Sequence, residues 1–398
     1  MTDTFPRQYA RTQRLTLGEP RTITVSPDGK RVLFLRSTNG TDTVQSLWLL
    51  HVERNTEVCI ADVRELLAAS EGHTESAEEQ ARRERAREGA GGIVQYSCDA
   101  EVQHVAFAVA GHLFVCDMQH ANEIVIKSPA SGTIYDARIS PDGQHVAYVR
   151  DRSLYMCDLQ GVERCLASEE SPDVTWGIAE FVAAEEMNRQ RGFWWAPDSS
   201  ALAVERADHS PIQSISIADP AKPTSNPSSR RYPFAGTANA LVSLHLVAIN
   251  GNRIAVTWDS LAFEYLTSVQ WNAYGLVISV MSRDQRFLDI RAVDISSGQT
   301  NSLHTEHDEC WVELVVGGPS LLEKDLLMWC GERNGVRAIV VNNDFITPSH
   351  LQVRSIVRAS HDNIIFSANN VQRPQELHVF SVQISGGEVT QLSDGIGI

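Results

Sequence analysis

The chain contains 398 residues, more than a single hydrophobic core usually serves, so one simple two-layer domain is not expected. Hydrophobic residues make up 42% of the sequence and charged residues 21%, which is ordinary for a globular protein and excludes a disordered or fibrous chain. The 50 acidic and 34 basic residues give a formal net charge of −16. This charge argues against nucleic acid or an anionic membrane as a partner, because the overall field repels both.

No apolar run approaches the ~20 residues that cross a bilayer, and the N-terminal residues MTDTFPRQYARTQRL contain no apolar signal segment. We therefore expect a cytoplasmic protein. The seven cysteines agree with this location, because they are odd in number, scattered and without a C-x-x-C pair. We interpret them as small residues of strands, with Cys116 and Cys157 in nearly identical contexts, rather than as metal ligands or redox thiols. The histidines show no metal-binding spacing, so no metal or other cofactor is predicted.

Two sequence units repeat along the chain. VSPDGKRVLFLR at 25–36 recurs as ISPDGQHVAYVR at 139–150 and, more loosely, as WAPDSSALAVER at 195–206. Pro and Gly favour a tight turn, and the alternating apolar residues that follow are typical of a half-buried strand. The second unit is an alternating strand that ends in a polar turn, and it occurs as SLWLLHVE, HLFVCDMQ, SLYMCDLQG, DIRAVDISSGQ and ELHVFSVQISGG. Turns within blades are predicted at Ser26–Gly29, Ser140–Gly143 and Ala196–Ser199.

Together the two units make roughly one four-stranded blade per 40–50 residues, which would give about eight blades in this chain. Long helical patterns are scarce, so a parallel βαβ sheet is disfavoured. The sequence therefore predicts an all-β fold, a β-propeller of eight blades with about four antiparallel strands each, over residues 1–398. A pair of face-packed sheets is the alternative.

Two segments break the strand pattern. Residues 74–89 include SAEEQARRERAREG, which has no β-branched residue, begins like a capping box at Ser76 and Glu79, and carries i,i+4 Glu–Arg pairs. This segment is predicted to be a helical excursion that Gly89 ends. Residues 177–190, within WGIAEFVAAEEMNRQRGFWW, are predicted to form a second short helix between two strands. Residues 218–231 are rich in Pro and Ser and predict a loop.

The segment WGIAEFVAAEEMNRQRGFWWAPD at 176–198 resembles the double-glutamate segment of the dipeptidyl peptidase IV-like family of serine peptidases, which are of the prolyl oligopeptidase type. The similarity continues in order through RYPFAGTANA, EYLTSVQW, SRDQRFLDIRAVD and LHTEHDECWVE, and with YARTQRLTLGEPRTITVSPDG it covers nearly the whole chain. The resemblance implies an eight-bladed propeller joined to an α/β-hydrolase domain. Together these domains would release dipeptides from free peptide N-termini, typically after proline or alanine.

One part of that family is missing from this sequence. A nucleophile elbow has the form G-x-S-x-G, and the nearest match, GGPS at 317–320, lacks the last glycine. The sequence ends at QLSDGIGI, about where the propeller of the family ends. We therefore expect the chain to correspond to the N-terminal propeller without its α/β-hydrolase domain, to contain no catalytic residue, and to hydrolyse no peptide alone.

Glu185 and Glu186 match the paired glutamates that hold the free amine of the substrate in the family. An α-amino group is largely protonated at neutral pH and offers three donors, which two carboxylates can accept. Adjacent helical residues point about 100° apart, so both can reach one ligand only at a helix end or an irregular turn. The alternative is a solvated acidic helix face, and the flanking sequence favours the binding site. Glu180 lies on the same segment but outside the family motif.

ARRERAREGAGGI resembles the Arg-Glu-Arg-x-Arg segment of the family, whose last arginine contacts a carbonyl group of the bound peptide. By position this arginine is Arg87, and its guanidinium would supply a rigid, permanently charged donor fork. The alternative is an ion-paired surface helix, which accounts well for Arg82, Arg83 and Arg85. The aromatic run at 193–195 is interpreted as blade core rather than as a platform on which a ligand stacks.

These features predict the substrate-gating and N-terminus-anchoring propeller of a serine dipeptidyl aminopeptidase. Its expected partners are peptides with a free N-terminus and the α/β-hydrolase domain of the full protein, and a homodimer is a further expectation because members of the family often dimerise. The alternative is a free-standing propeller that serves as a non-enzymatic scaffold for protein interactions. A reading frame that continues past Ile398 into a G-x-S-x-G segment would distinguish the two.

Overall fold

The computed structural model describes residues 4–68, 91–118, 124–126, 133–323 and 325–395, and most of them lie in antiparallel β-sheets. Three short helices occur in these ranges: α1 (Phe5–Arg11), α2 (Val63–Ala68) and α3 (Phe181–Glu186). None of the helices in the described ranges has the length and apolarity that a membrane span requires. The segment 74–89, with Arg82, Arg83, Arg85 and Arg87, lies outside the described residues, so its predicted helix is not tested.

The chain divides into two compact units, and the first contains the described residues of 1–178 together with 198–202 and 247–252. Its sheets are meanders in which consecutive strands are neighbours, the arrangement of a propeller blade. The first sheet holds β1 (Arg21–Val25), β2 (Arg31–Ser37), β3 (Val44–His51) and β4 (Thr56–Ala61), with β5 (Gly91–Gly92) parallel to β3. The second holds β6 (Ser97–Cys98), β7 (His104–Val109), β8 (His112–Asp117) and β9 (Ile124–Ile126). The third holds β10 (Tyr135–Ile139), β11 (His145–Arg150), β12 (Ser153–Asp158) and β13 (Glu163–Ala167), and β14 (Val174–Trp176) follows it in the chain.

The second unit contains residues 179–197 and 203–246 and the described residues from 253 onward. The fourth sheet includes β15 (Phe193–Trp195), β16 (Ala201–Asp208), β19 (Leu241–Ala248) and β20 (Arg253–Val256), and a separate hairpin is formed by β17 (Ser214–Ile217) and β18 (Ser228–Arg231). The fifth sheet holds β21 (Tyr265–Asn272), β22 (Gly275–Met281), β23 (Phe287–Val293) and β24 (Thr300–His307). The sixth holds β25 (Ser320–Glu323), β26 (Leu326–Arg333), β27 (Val336–Val341) and β28 (Asp344–Phe345). The seventh holds β29 (Leu351–Ala359), β30 (Asn363–Asn370), β31 (Arg373–Gln383) and β32 (Thr390–Gln391).

The prediction of an all-β fold built from blades of about four antiparallel strands is confirmed, but the prediction of eight blades is wrong. Within the described ranges there are seven such sheets. Dividing the chain length by the length of a blade gives too many blades, because two of the described stretches add no blade. Residues 4–20 precede the first strand, and residues 209–240 form the hairpin β17–β18 and its flanking loops. Residues 228–231, predicted as part of a loop, are the second strand of this hairpin.

The predicted turns join adjacent strands of a blade, as the repeat requires. In the first copy the N–H of Gly29 donates to the carbonyl of Ser26 at 2.9 Å, and the hydroxyl of Ser26 donates to the carboxylate of Asp28 at 2.5 Å. The same two bonds occur between Ser140, Asp142 and Gly143 at 2.9 Å and 2.5 Å. The two glycines have φ values of 69° and 74°, a conformation that other residues adopt only with strain. At 196–199, Ser199 takes this conformation in place of glycine.

Apolar residues that alternate along the strands pack between neighbouring sheets within each unit. Leu33 and Leu47 of the first sheet share one core cluster with Phe107 and Phe114 of the second, and the two phenylalanine rings stack at 5.4 Å. Removing such a fully buried aromatic side chain costs about 3–5 kcal/mol. Cys116 and Cys157 are buried strand residues, as predicted, whereas Cys165 and Cys310 are exposed. Cys165 still lies in a strand, but Cys310 does not, so the interpretation of the cysteines as strand residues is wrong for Cys310. Cys165 lies on β13, the last strand of the third sheet, and Cys310 lies in the segment between β24 and β25.

Candidate functional site

The two predicted amine-binding residues lie at the end of a short helix. Helix α3 covers Phe181–Glu186, so it is shorter than the predicted span 177–190, and Glu185 and Glu186 are its last two residues. Both side chains are exposed. A helix end is one of the two places where adjacent side chains can approach one ligand. Glu185 and Glu186 therefore lie at a helix end, one of the two positions from which adjacent side chains can reach the same ligand.

The beginning of α3 is held by a carboxylate. The side chain of Glu180 accepts hydrogen bonds from the backbone N–H groups of Val182 at 2.7 Å and of Ala183 at 2.6 Å. Glutamate is not among the residues preferred at the N-cap, but here its two oxygens satisfy two of the donors that every helix start leaves unpaired. Glu180, which the sequence analysis placed outside the family motif, thus defines where the helix begins.

The end of α3 is closed by residues 188–190. Asn188 has a φ of 52°, the left-handed conformation that commonly follows a helix, and the N–H of Arg189 donates to the carbonyl of Ala183 at 3.1 Å. The side-chain amide of Gln190 donates to the carbonyl of Ala184 at 2.7 Å. These bonds fix the backbone immediately around Glu185 and Glu186.

A buried ion pair lies beneath the helix. Glu205 of β16 has no exposed surface, and one of its oxygens accepts from the backbone N–H of Glu180 at 2.9 Å. The other oxygen accepts from the guanidinium of Arg189, which also donates to the carbonyl of Leu266 at 3.0 Å. Burial raises the pKa of Glu205 to about 6, with Arg189 opposing the increase and the charge of Glu180 adding to it.

Glu205 and Arg189 were not predicted as site residues, although the sequence contains a signal for Glu205. Strand β16 reads ALAVERAD, and Glu205 follows three residues that are apolar and come to be buried. A charged residue at an inward position of a buried strand requires a partner of opposite charge. The structure shows that this partner is Arg189, in the segment that directly follows the paired glutamates.

A cavity of about 560 Å³ lies at the end of α3. Among the described residues that line it, Glu186 is present and Glu185, its neighbour in the helix, is not. The wall includes charged groups and three indole rings: Arg189, Arg191, Glu313, Trp194, Trp311 and Trp329. Trp311 is 58% exposed, whereas Trp194 and Trp329 are buried. The run at 193–195 is buried throughout, as the core interpretation predicted, although Trp194 also faces the cavity.

The loop after β18 contacts α3 through aromatic rings. The rings of Phe181 and Tyr232 meet edge to face at 5.3 Å, and those of Tyr232 and Phe234 meet in the same way at 4.9 Å. Such pairs add to the stability that burial provides. The segment RYPFAGTANA, which carried part of the family resemblance, therefore packs against the helix that bears the two glutamates.

A second cavity of about 790 Å³ lies beside the sixth and seventh sheets and includes Arg333, Phe345, His350 and Gly386 in its wall. No residue of α3 lines it among those described. The described residues also contain no group of three or more His, Cys, Asp or Glu side chains that could hold a metal ion. Arg87, the third predicted binding residue, lies outside the described residues, so its approach to the cavity stays a prediction.

Comparison with known protein families gives a match over most of the chain. The family model described as the dipeptidyl peptidase IV (DPP IV) N-terminal region matches residues 93–397. The chain belongs to this family. The resemblance drawn from the double-glutamate segment and its neighbours is thereby confirmed, and α3 with its paired glutamates lies inside the matched range.

Individual relatives of this family member are distant. Dipeptidyl peptidase 8 of Mus musculus is 32% identical over 93 residues, which are 21% of this chain and 10% of that protein. A putative dipeptidyl aminopeptidase of Schizosaccharomyces pombe is 24% identical over 233 residues, 54% of this chain and 29% of that protein. The crystal structure of Porphyromonas gingivalis dipeptidyl peptidase 4 matches with a TM-score of 0.74 and 17% identity, covering 97% of this chain and 55% of that one. The chain thus shares this fold and spans only part of each relative.

Proposed function

We propose that this chain selects peptides by their free N-terminus and that Glu185 and Glu186 bind the protonated α-amine. The amine of a peptide has a pKa of about 8 and is a cation with three donors at neutral pH. Two carboxylates can accept two of these hydrogen bonds, and charge-assisted bonds are the strong ones. An acetylated N-terminus has neither the charge nor the donors, so it would not be held.

The observation that carries the proposal is the placement of the pair at a helix end that is fixed on both sides. Glu180 and the segment after α3 hold the backbone, and Glu186 lines a cavity whose 560 Å³ falls in the usual range for small ligands. A short stretch of peptide fits such a volume. The exposed indole of Trp311 offers a contact for the residues behind the amine.

In the full protein, this anchoring would set which peptide bond is presented for cleavage. The family and the names of its relatives point to dipeptidyl peptidases. We propose that the propeller limits access to the cavity and that the glutamate pair measures two residues from the N-terminus. Binding energy at the amine would then orient the scissile bond towards a serine supplied by an α/β-hydrolase domain. Arg87 would hold a carbonyl group of the same peptide.

Calorimetric titration of the chain with one pentapeptide in its unblocked and N-acetylated forms tests the proposal. The unblocked form is expected to bind more tightly, and Glu185→Gln or Glu186→Gln should weaken it about tenfold or more, since a hydrogen bond to a charged group is worth about 1.5–3 kcal/mol. The chain offers a matched control in Glu169 and Glu170, another exposed adjacent pair, in the loop after β13. Their glutamine variants should bind like the unmodified chain.

Equal affinities for the two forms of the peptide, or equal losses in the control and the test variants, would show that the pair does not bind an amine. Binding of folded proteins by the chain, without any preference for a free N-terminus, would instead favour the interaction scaffold.

A further inference from the structure

We infer that Glu205 is a positioning residue for the amine-binding pair. Its carboxylate connects the two ends of α3 and thereby fixes where Glu185 and Glu186 lie. The inference rests on the proposed function of Glu185 and Glu186. Glu205 does not line the cavity among the described residues and has no exposed surface, so it acts through the helix and not by touching a ligand.

The carboxylate of Glu205 bonds to the residues on either side of α3. One oxygen accepts from the N–H of Glu180, the residue directly before α3, at 2.9 Å. The other accepts from Arg189, the third residue after the helix. Both contacts come from a single side chain of β16, which belongs to a blade. A single residue of the sheet therefore fixes the positions of both ends of the helix.

The position of helix α3 depends on this connection because the helix is very short. Six residues are far below the length at which an isolated helix is stable in water, so its geometry depends on tertiary contacts. Glu185 and Glu186 are the last residues of the helix, and a shift or rotation of its axis moves both carboxylates together. A displacement of about 1 Å at a binding group is enough to weaken a directed interaction strongly.

The negative charge of Glu205 is what allows one side chain to serve both ends. An ionised carboxylate only accepts hydrogen bonds, and both of its neighbours here, a backbone N–H and a guanidinium, only donate. A glutamine of the same shape has one accepting and one donating end. In either orientation of the amide, one end of α3 loses its acceptor, while the volume of the side chain is unchanged.

If Glu205 had a purely structural role, its replacement would change peptide binding in a different way. Buried ion pairs often contribute little to net stability, because desolvation opposes their attraction. If Glu205 only stabilised the blade, its loss would affect the unblocked and the acetylated peptide alike. If it positions the glutamates, its loss reduces the preference for the unblocked peptide and leaves the weak binding of the acetylated peptide unchanged.

Asp289 of β23 provides a matched control. It is buried, its carboxylate accepts from Arg291 and from the hydroxyl of Ser302 at 2.5 Å, and none of its hydrogen bonds to the described residues involves α3. Asp289→Asn therefore removes the same kind of charge from the same unit without touching the helix.

The test is calorimetric titration of the 398-residue chain and its variants with the unblocked and acetylated pentapeptides, with near-ultraviolet circular dichroism to verify folding. Glu205→Gln is expected to reduce the ratio of the two affinities about tenfold or more, and Asp289→Asn should leave the ratio unchanged. Glu205→Asp keeps the charge but shortens the reach, and it serves the same purpose if the glutamine variant does not fold.

A ratio that stays at the wild-type value in a folded Glu205 variant would overturn the inference. An equal loss of affinity for both peptides would do the same. A wild-type chain that binds both peptides equally would refute the proposed function itself, so the two failures are distinguishable.

Discussion

Replacing Glu180 by alanine tests whether a single carboxylate defines the start of α3. The substitution removes the acceptors of the N–H groups of Val182 and Ala183, which lie 2.7 and 2.6 Å from the carboxylate oxygens. Loss of an N-cap costs about 0.5–2 kcal/mol, and bonds to a charged, buried acceptor lie at the upper end. Removing Glu180 also relieves its repulsion with Glu205, which offsets part of the cost of the two lost bonds. We therefore expect the local stability of α3 to fall by about 2 kcal/mol.

Hydrogen exchange measures this local effect directly, because it reports opening of individual segments rather than unfolding of the whole chain. A loss of about 2 kcal/mol corresponds to an exchange rate about 30-fold higher for the amides of Val182 and Ala183. Glu180→Asp retains a carboxylate of a type favoured at this position and should preserve most of the protection. Unchanged protection of the two amides in the alanine variant would refute the assignment of Glu180 as the cap.

Three further predictions follow from the described contacts. Burial raises the pKa of Glu205 from its ordinary value of 4.5 to about 6. The folded state therefore binds this proton more tightly than the unfolded state does. As a result, the contribution of Glu205 to the free energy of unfolding declines as the pH rises from about 4.5 to about 6. The difference in that free energy between the unmodified chain and Glu205→Gln should thus change by about 2 kcal/mol between about pH 4 and about pH 7 in urea titrations, and a flat difference would contradict the assignment. Gly29→Ala and Gly143→Ala both place alanine at a positive φ, but only at Gly143 would the new Cβ meet other atoms, 2.9 Å from Nδ1 of His104 and 3.0 Å from a carboxylate oxygen of Asp99. Gly143→Ala should therefore lower the melting temperature more, and equal effects would show that the turn alone decides the cost. Cys165 and Cys310 are exposed, whereas burial raises the pKa of Cys98 and Cys116 to about 12, so brief alkylation followed by peptide mass spectrometry should label the first two thiols and leave the others unmodified until the chain unfolds.

Features that depend on neighbouring residues were predicted well from the sequence. The turn at Ser26–Gly29 follows from the conformations that Pro and Gly impose, and its copy at Ser140–Gly143 forms the same hydrogen bonds. A further copy was missed: the N–H of Gln285 donates to the carbonyl of Ser282 at 2.9 Å, with Gln285 at a φ of 61°. The segment SRDQ contains neither Pro nor Gly, so local propensity gave no indication of this turn.

Features that depend on residues distant in the chain were predicted less well. The helix bearing Glu185 and Glu186 was expected, but its length was overestimated because its start depends on the capping bonds of Glu180. The link from Glu205 to Glu180 joins residues 25 positions apart, and no local pattern shows which buried arginine compensates a buried glutamate. The blade count was wrong for a related reason, since the sequence did not show that residues 209–240 leave the fourth sheet to form a hairpin.

The central claim is that the end of α3 binds a free peptide N-terminus, and the most direct measurement is a crystal structure of the chain with an unblocked pentapeptide bound. We predict the α-amine nitrogen at the end of α3, about 3 Å from carboxylate oxygens of Glu185 and Glu186, with the rest of the peptide in the cavity and extending past Trp311. A peptide whose amine points to solvent, or one that lies in the cavity beside the sixth and seventh sheets, would contradict it.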